Sequence, residues 1–303
     1  MNAPAAFARA DAISADVIGV DAQKVLAGRG EIAAVFRRSF YMRMAGGLAC
    51  GGAAEIGRGP LNFLFTAGPE DWRSLLTPGQ PIAIEQNILR LSGLPPVDLG
   101  RAQVWTAPSF PEWSTVTLAS GLAALEDLLG DFPPPAEGLG CFAFMNPAPK
   151  EMVARALAAP IDRYLQWLKA DCPLEAAVGV EDLIGAGPGL TPSGDDFLAG
   201  SLLGLYAIGG GVLPRKVWER VAPMLPHRTH PISAAHLACA AEGRLAETQH
   251  RLIGSLLSGS RDSLRVGIKA LSGESQTSSW DSLAGMAATL RAVSGYQTSS
   301  GSN

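Results

Sequence analysis

At 303 residues the chain is long enough for one large domain or two ordinary ones, well beyond the size at which disulfides or a structural metal must stand in for a core. Only 17% of its residues are Asp, Glu, Lys or Arg, against roughly 25% in typical soluble domains, while 47% are hydrophobic, so extensive burial is expected, some of it against other chains. A net charge of −4 with scattered basic residues gives no footprint for a phosphate backbone, which argues against nucleic acid as a partner.

Residues 1–16 are Ala-rich, carry Arg9 and Asp11, and lack the continuous apolar stretch of a secretory signal; a flexible tail is expected there, and a second over 296–303. From Val17 to Pro108 the text is a series of short apolar runs broken by glycines: Val17–Val20, Ile32–Met44, Pro60–Phe65, Pro81–Ile84, Ile88–Leu91 and Ala102–Trp105. Such runs read as strands, with turns at Ala45-Gly46-Gly47 and Cys50-Gly51-Gly52, and define a β-rich domain over 17–110. After Pro111 Ala and Leu recur at helical spacing: Leu118–Leu129, Lys150–Ala170 with a break at Pro160, Leu174–Leu183, Asp195–Ile208, Pro214–Met224, Pro231–Glu242, Ala246–Leu257, Asp262–Leu271 and Asp281–Val293. The expected fold is therefore α+β, a β-rich N-terminal domain followed by an all-helical domain over 111–295. Phe197–Pro214 carries no charge, but Gly209–Gly211 and Pro214 close it, so it is expected to be a buried core helix and not a membrane span.

The most informative segment is Leu183–Gly200, LIGAGPGLTPSGDDFLAG. Gly185, Gly187 and Gly189 alternate ahead of a new helix. Such a loop lets backbone approach a ligand and aims amide N–H groups at it, which favours phosphate or carboxylate. It lacks the lysine of a P-loop, and a helix, not a strand, precedes it, unlike a dinucleotide fingerprint. Ser193 with Asp196 reads more simply as a capping box. That leaves Asp195, Thr191 and the glycines unexplained, and two carboxylates beside an anion site must hold a cation, act as a base or accept from an amide NH₂. The last option points to a carbamoyl or ureido compound.

The pattern S-x-x-D-x-L-A-G recurs 85 positions later, Ser278 answering Ser193 and Asp281 answering Asp196, with Thr277 just ahead. Two helix starts of one design suggest a pseudo-symmetric pair converging on one small anion, packed through Gly200, Gly204 or Gly285. His227, His230, His236 and His250 lack the spacing of a zinc site, although His236 and Cys239 are separated by two residues, and are assigned to surface or cap positions; no metal site is expected from them. Thr229 and Ser233 read as caps of another helix bordering the same site. Cys50, Cys141, Cys172 and Cys239 form no C-x-x-C pair and read as reduced thiols of a cytoplasmic protein. No nucleophile elbow or metalloprotease motif occurs, which leaves Ser193 unsupported as a hydrolytic nucleophile.

The strings Gly185–Gly200, Thr229–Gly243 and Thr277–Gly285, with GRGPLNF at Gly57–Phe63, resemble a bacterial family that includes AllH, a subunit of oxamate carbamoyltransferase in allantoin degradation. The resemblance implies a cytoplasmic multi-subunit transferase that interconverts a ureido acid such as oxalurate plus phosphate with carbamoyl phosphate plus the amide. By motif match, the loop Gly187, Gly189, Leu190, Thr191, Ser193 and Gly194 would bind phosphate or carboxylate, with Thr229, Ser233, Thr277, Ser278 and Asp281 adding contacts. Asp195 and Asp196 would contact the carbamoyl NH₂ or handle a proton. No organic cofactor is implied, and a divalent cation such as magnesium between Asp195 and Asp196 is the one cofactor left open. The family commonly has glycine where Ser279 stands, and Gly or His where Gln276 stands. Two other readings remain: a non-catalytic scaffold subunit of such a complex, and a stand-alone hydrolase or lyase of a ureido or lactam compound. Expected partners are the small-molecule substrate, phosphate and companion subunits, with no nucleic acid and no membrane.

Overall fold

The computed structural model describes residues 13–66, 68–91, 93–170, 179–272 and 277–294. Cys172, the stretch 174–178, Gln276 and the expected tails 1–12 and 296–303 lie outside them. The chain divides into two compact units, Met1–Ala107 and Pro108–Asn303. The fold is α+β, a β-barrel unit followed by an all-helical one.

The first unit contains strands β1 (Ile13–Gly19), β2 (Gly28–Val35), β3 (Ser39–Met44), β4 (Gly47–Ala53), β5 (Asn62–Phe65), β6 (Pro81–Glu85), β7 (Ile88–Leu91), β8 (Val97–Asp98) and β9 (Gln103–Trp105), with one short helix, α1 (Val20–Val25). The strands pair in the order β5-β4-β3-β2-β6-β7-β8-β1, and β1 then pairs β5 antiparallel, which closes the barrel. On its other side β1 is parallel to β8 through Ile13↔Val97 and to β9 through Val17↔Gln103, so β8 and β9 share one edge. Alternation buries Phe40, Met42 and Met44 of β3 and Ile82 and Ile84 of β6. An aromatic cluster fills the interior: Phe40 lies 4.7 Å from Trp72 and 5.9 Å edge-on from Phe63.

Three expectations fail here, the first for a packing reason. Cys50-Gly51-Gly52 is not a turn but the middle of β4, because a Cβ at Gly51 would sit 2.5 Å from the ring tips of both Phe40 and Phe63. Gly51 makes room for the rings, and Gly52 for the Arg38 carbonyl and Ile56. Residues 13–16, assigned to the tail, are the start of β1, and Ile32–Met44, taken as one run, is two strands around a turn at 36–38. Cys50 is buried, and burial pushes its thiol up to about 12 against hydrogen bonds with Tyr41 and Ser39.

The second unit contains α2 (Thr115–Asp131), α3 (Met152–Lys169), α4 (Val180–Leu183), α5 (Ser193–Gly209), α6 (Val212–Val221), α7 (Leu225–Arg228), α8 (Pro231–Ala241), α9 (Glu247–Ser258), α10 (Arg261–Ser272) and α11 (Ser278–Ser294). Pro160 does not break α3, which runs through it. At the centre α5 and α11 are buried nearly all round, Phe197–Leu205 on one and Trp280–Leu290 on the other. Their contact is reciprocal: a Cβ on Gly200 would lie 1.9 Å from the Ser282 carbonyl, and one on Gly285 1.9 Å from the Phe197 carbonyl. Gly285 stands 85 positions after Gly200, and Ser282 85 after Phe197, so the sequence echo is a pseudo-two-fold in space. Three hydroxyls buried in this core pair with one another, Tyr164 with Ser201 at 2.6 Å and Ser201 with Thr289 at 2.7 Å. Among the described residues no helix is long and apolar enough to cross a membrane.

Candidate functional site

The chain leaves α4 at Leu183 and enters α5 at Ser193 through a loop whose Gly185, Gly187 and Gly189 have φ of 73°, 120° and 91°. Side chains rarely adopt that region, which is why glycines alternate here. The loop folds back on itself, with the Gly194 N–H bonded to the Ala186 carbonyl at 2.9 Å. Its tip, Gly187-Pro188-Gly189, is exposed. Among the described residues none accepts a backbone hydrogen bond from the N–H groups of Gly187, Gly189, Leu190 or Thr191. Those four donors, more than the helix start, are left over for a ligand: the Gly194 N–H is taken, and Asp195 and Asp196 donate to the Pro192 carbonyl at 2.9 and 3.1 Å.

The expected capping box is absent. Pro192 is the N-cap of α5 and no side chain caps it. Ser193 and Asp196 instead face the other repeat. Asp196 takes hydrogen bonds from Ser278 and Thr191, while Asp281 takes them from Ser193, Thr277 and the Leu139 N–H, the last at 2.5 Å. Each repeat's serine thus serves the other repeat's acid. Thr191 also meets Ser278 hydroxyl to hydroxyl at 3.2 Å, joining the two helix starts.

Both acids keep one oxygen, Oδ2, buried without a partner. Burial pushes Asp196 well above the usual carboxylate range against the Ser278 hydrogen bond, with the charges of Asp281 and Asp195 adding to the rise. Burial likewise raises Asp281 to about 6, opposed by Leu139, Ser193 and Thr277. Gly138 and Leu139, which lay the loop after α2 against Asp281, had no signal in the sequence beyond a glycine after a proline run.

Asp195 plays another part. It is 1% exposed; Oδ1 accepts from the Gly185 N–H at 2.8 Å, and Oδ2 from the hydroxyls of Ser233, at 2.6 Å, and Thr229. Thr229 and Ser233, expected as caps, therefore anchor Asp195, and the cap of α8 is His230, whose Nδ1 accepts from the Ile232 N–H. Asp195 ties the glycine loop to α8. Side chains one apart on a helix point about 100° away from each other, and both Asp195 oxygens already face donors, so a divalent ion between Asp195 and Asp196 does not fit. Among the described residues no group of three or more His, Cys, Asp or Glu is placed to hold a metal. Burial lowers His236 and His250 to about 4, which keeps both neutral at physiological pH.

Residues 183–290 match the family model of oxamate carbamoyltransferase subunit AllH. The AllH match spans the glycine loop, Thr229 and Ser233, and both repeats, and it stops short of the β-barrel, so Gly57–Phe63 falls outside it. No curated protein and no solved structure matches the chain. Within the matched segment amide donors without a backbone acceptor lie in the same loop as Thr191, which reaches a carboxyl displaced toward its neutral form. That pairing can bind an anion and exchange a proton with a group beside it.

Proposed function

We propose that this chain is a subunit of a cytoplasmic carbamoyltransferase complex that interconverts oxalurate plus phosphate with carbamoyl phosphate plus oxamate, in the breakdown of allantoin and purine nitrogen. The observation that carries the reading is the exposed loop of uncommitted N–H groups beside Asp196, with the AllH-like segment around both. In phosphorolysis a phosphate oxygen attacks the carbamoyl carbon, the bond from that carbon to the oxamate nitrogen breaks, and this nitrogen must receive a proton. The amides of Gly187–Thr191 hold the anion and the charge that develops on the carbamoyl oxygen. Asp196, protonated in its buried setting, gives its proton to the leaving nitrogen and takes it back in the reverse direction. Asp195 positions the loop, and Ser278, reaching across from the second helix start, holds Asp196 together with Thr191. Companion subunits complete the site, in keeping with the word subunit in the family description.

The test is Asp196→Asn in the assembled complex, followed by carbamoyl phosphate formation from oxalurate and phosphate. Asparagine still accepts from Ser278 but donates no carboxyl proton, so turnover is expected to fall by about 10²-fold or more with assembly intact. Unchanged turnover in an intact complex overturns the assignment and favours a scaffold role. Hydrolysis of oxalurate by the chain alone without phosphate would point to a hydrolase.

A further inference from the structure

A separate cleft lies toward the far end of α5, about 20 Å of helix from the glycine loop at 1.5 Å per residue. Its volume is ≈ 390 Å³, and its lining includes Tyr206, Arg215, Trp218, Ala238, Glu242 and Arg244. Small-molecule sites run from about 300 to 1,000 Å³ and combine aromatic walls with a few polar groups.

The walls are preformed. The Tyr206 ring packs so tightly under the turn after α8 that a Cβ at Gly243 would lie 2.5 Å from it, and it stands 6.1 Å from Phe110. Trp218 packs against the core while remaining partly exposed. The charged lining groups sum to one net positive charge. Arg244 is paired with Glu242 at 2.6 Å, and Arg215 meets Glu219 only at 3.8 Å through Nε. The Arg215–Glu219 pair is exposed on both sides, at 71% and 69%, and such pairs are weak, whereas Arg244 is only 22% exposed and held by Glu242, itself 65% exposed. A bidentate carboxylate or phosphate matches the geometry of a guanidinium fork, so it competes with Glu219 for Arg215 and can join Glu242 on Arg244.

We propose that this cleft binds a planar heteroaromatic anion: the ring stacks on Trp218 or Tyr206, the anionic group sits on Arg215 and Arg244, and Glu242 accepts from a ring or exocyclic N–H. Nothing in this assignment depends on the carbamoyl chemistry at the glycine loop.

Isothermal titration calorimetry of the full chain with AMP and with orotate tests it and separates a phosphate-bearing ring from a carboxylate-bearing one. One of the two is expected to bind with Kd below about 1 mM, and more weakly by about tenfold in Arg215→Ala. Trp218→Leu should weaken it comparably, while inorganic phosphate alone gives no comparable heat. Arg215 is 71% exposed, so its loss leaves the fold intact. Absence of binding by both compounds, or affinity unchanged in both variants, overturns the proposal.

Discussion

Gly200→Ala probes the contact on which the helical unit is built. Its Cβ would lie 1.9 Å from the Ser282 carbonyl oxygen, whereas carbon and oxygen approach no closer than about 3.3 Å without repulsion. The obstacle is the backbone of a buried helix, so no flexible side chain can give way; α5 and α11 must part by more than 1 Å. Overpacking a core typically costs about 1–3 kcal/mol, and an obstacle this rigid belongs at the upper end, about 3 kcal/mol. In a unit approaching 200 residues each kcal/mol lowers Tm by about 2–4 °C, which gives a drop of about 6–12 °C. Circular dichroism at 222 nm on the full chain reads it, since nearly all the helix lies in this unit. Gly285→Ala meets the Phe197 carbonyl from the other side of the same contact. Once the helices have parted the second methyl meets less resistance, so the double variant costs less than the two singles together. A Tm within about 1 °C of the parent, or strict additivity, refutes the reasoning.

Asp281 titrates near 6 in the fold against an ordinary 3.8, so the folded chain keeps a proton that the unfolded chain releases between those values. Stability from this group is greatest at low pH and is lost as pH rises through 6, by about 3 kcal/mol; Asp281→Asn flattens that decline in urea titrations at about pH 4.5 and 7, and an unchanged decline would show the wrong group has been named. Asp195→Ala strands the Gly185 N–H and the hydroxyls of Thr229 and Ser233, so unfolding free energy should fall by about 3 kcal/mol at the usual 1–3 for each buried orphan. A loss under about 0.5 kcal/mol would mean that water or rearranged side chains satisfy those groups equally well.

The helices were legible because Ala and Leu repeat at helical spacing over long stretches, and glycine and proline punctuate them. The S-x-x-D-x-L-A-G echo was legible too, and with it the pairing of α5 with α11. Local chemistry misled where a distant partner decided the outcome. Ser193 and Asp196 have the spacing of a cap, yet each faces the other repeat, a partner no local window contains. Gly51 has the composition of a turn, but the rings of Phe40 and Phe63 need its missing side chain. Pro160 reads as a stop, and α3 continues because Pro160, Ile161 and Tyr164 are buried in the core. Asp195 and Asp196 look like one acidic pair, and the turn of the helix sends them to different neighbours. β8, only two residues long, has no pattern to find.

The closure of the barrel sets an order of events during synthesis. Strand β1 leaves the ribosome among the first of its unit, yet the partners on its two flanks, β5 and β8 with β9, are made later, up to 86 residues later for the pair Gly19↔Trp105. Until then the side of β1 that receives β8 and β9 waits as an open edge, with its backbone groups unmatched. Pairings of such long sequence separation make folding slow, so the nascent barrel stays exposed to unwanted pairing until its last strand has cleared the exit tunnel.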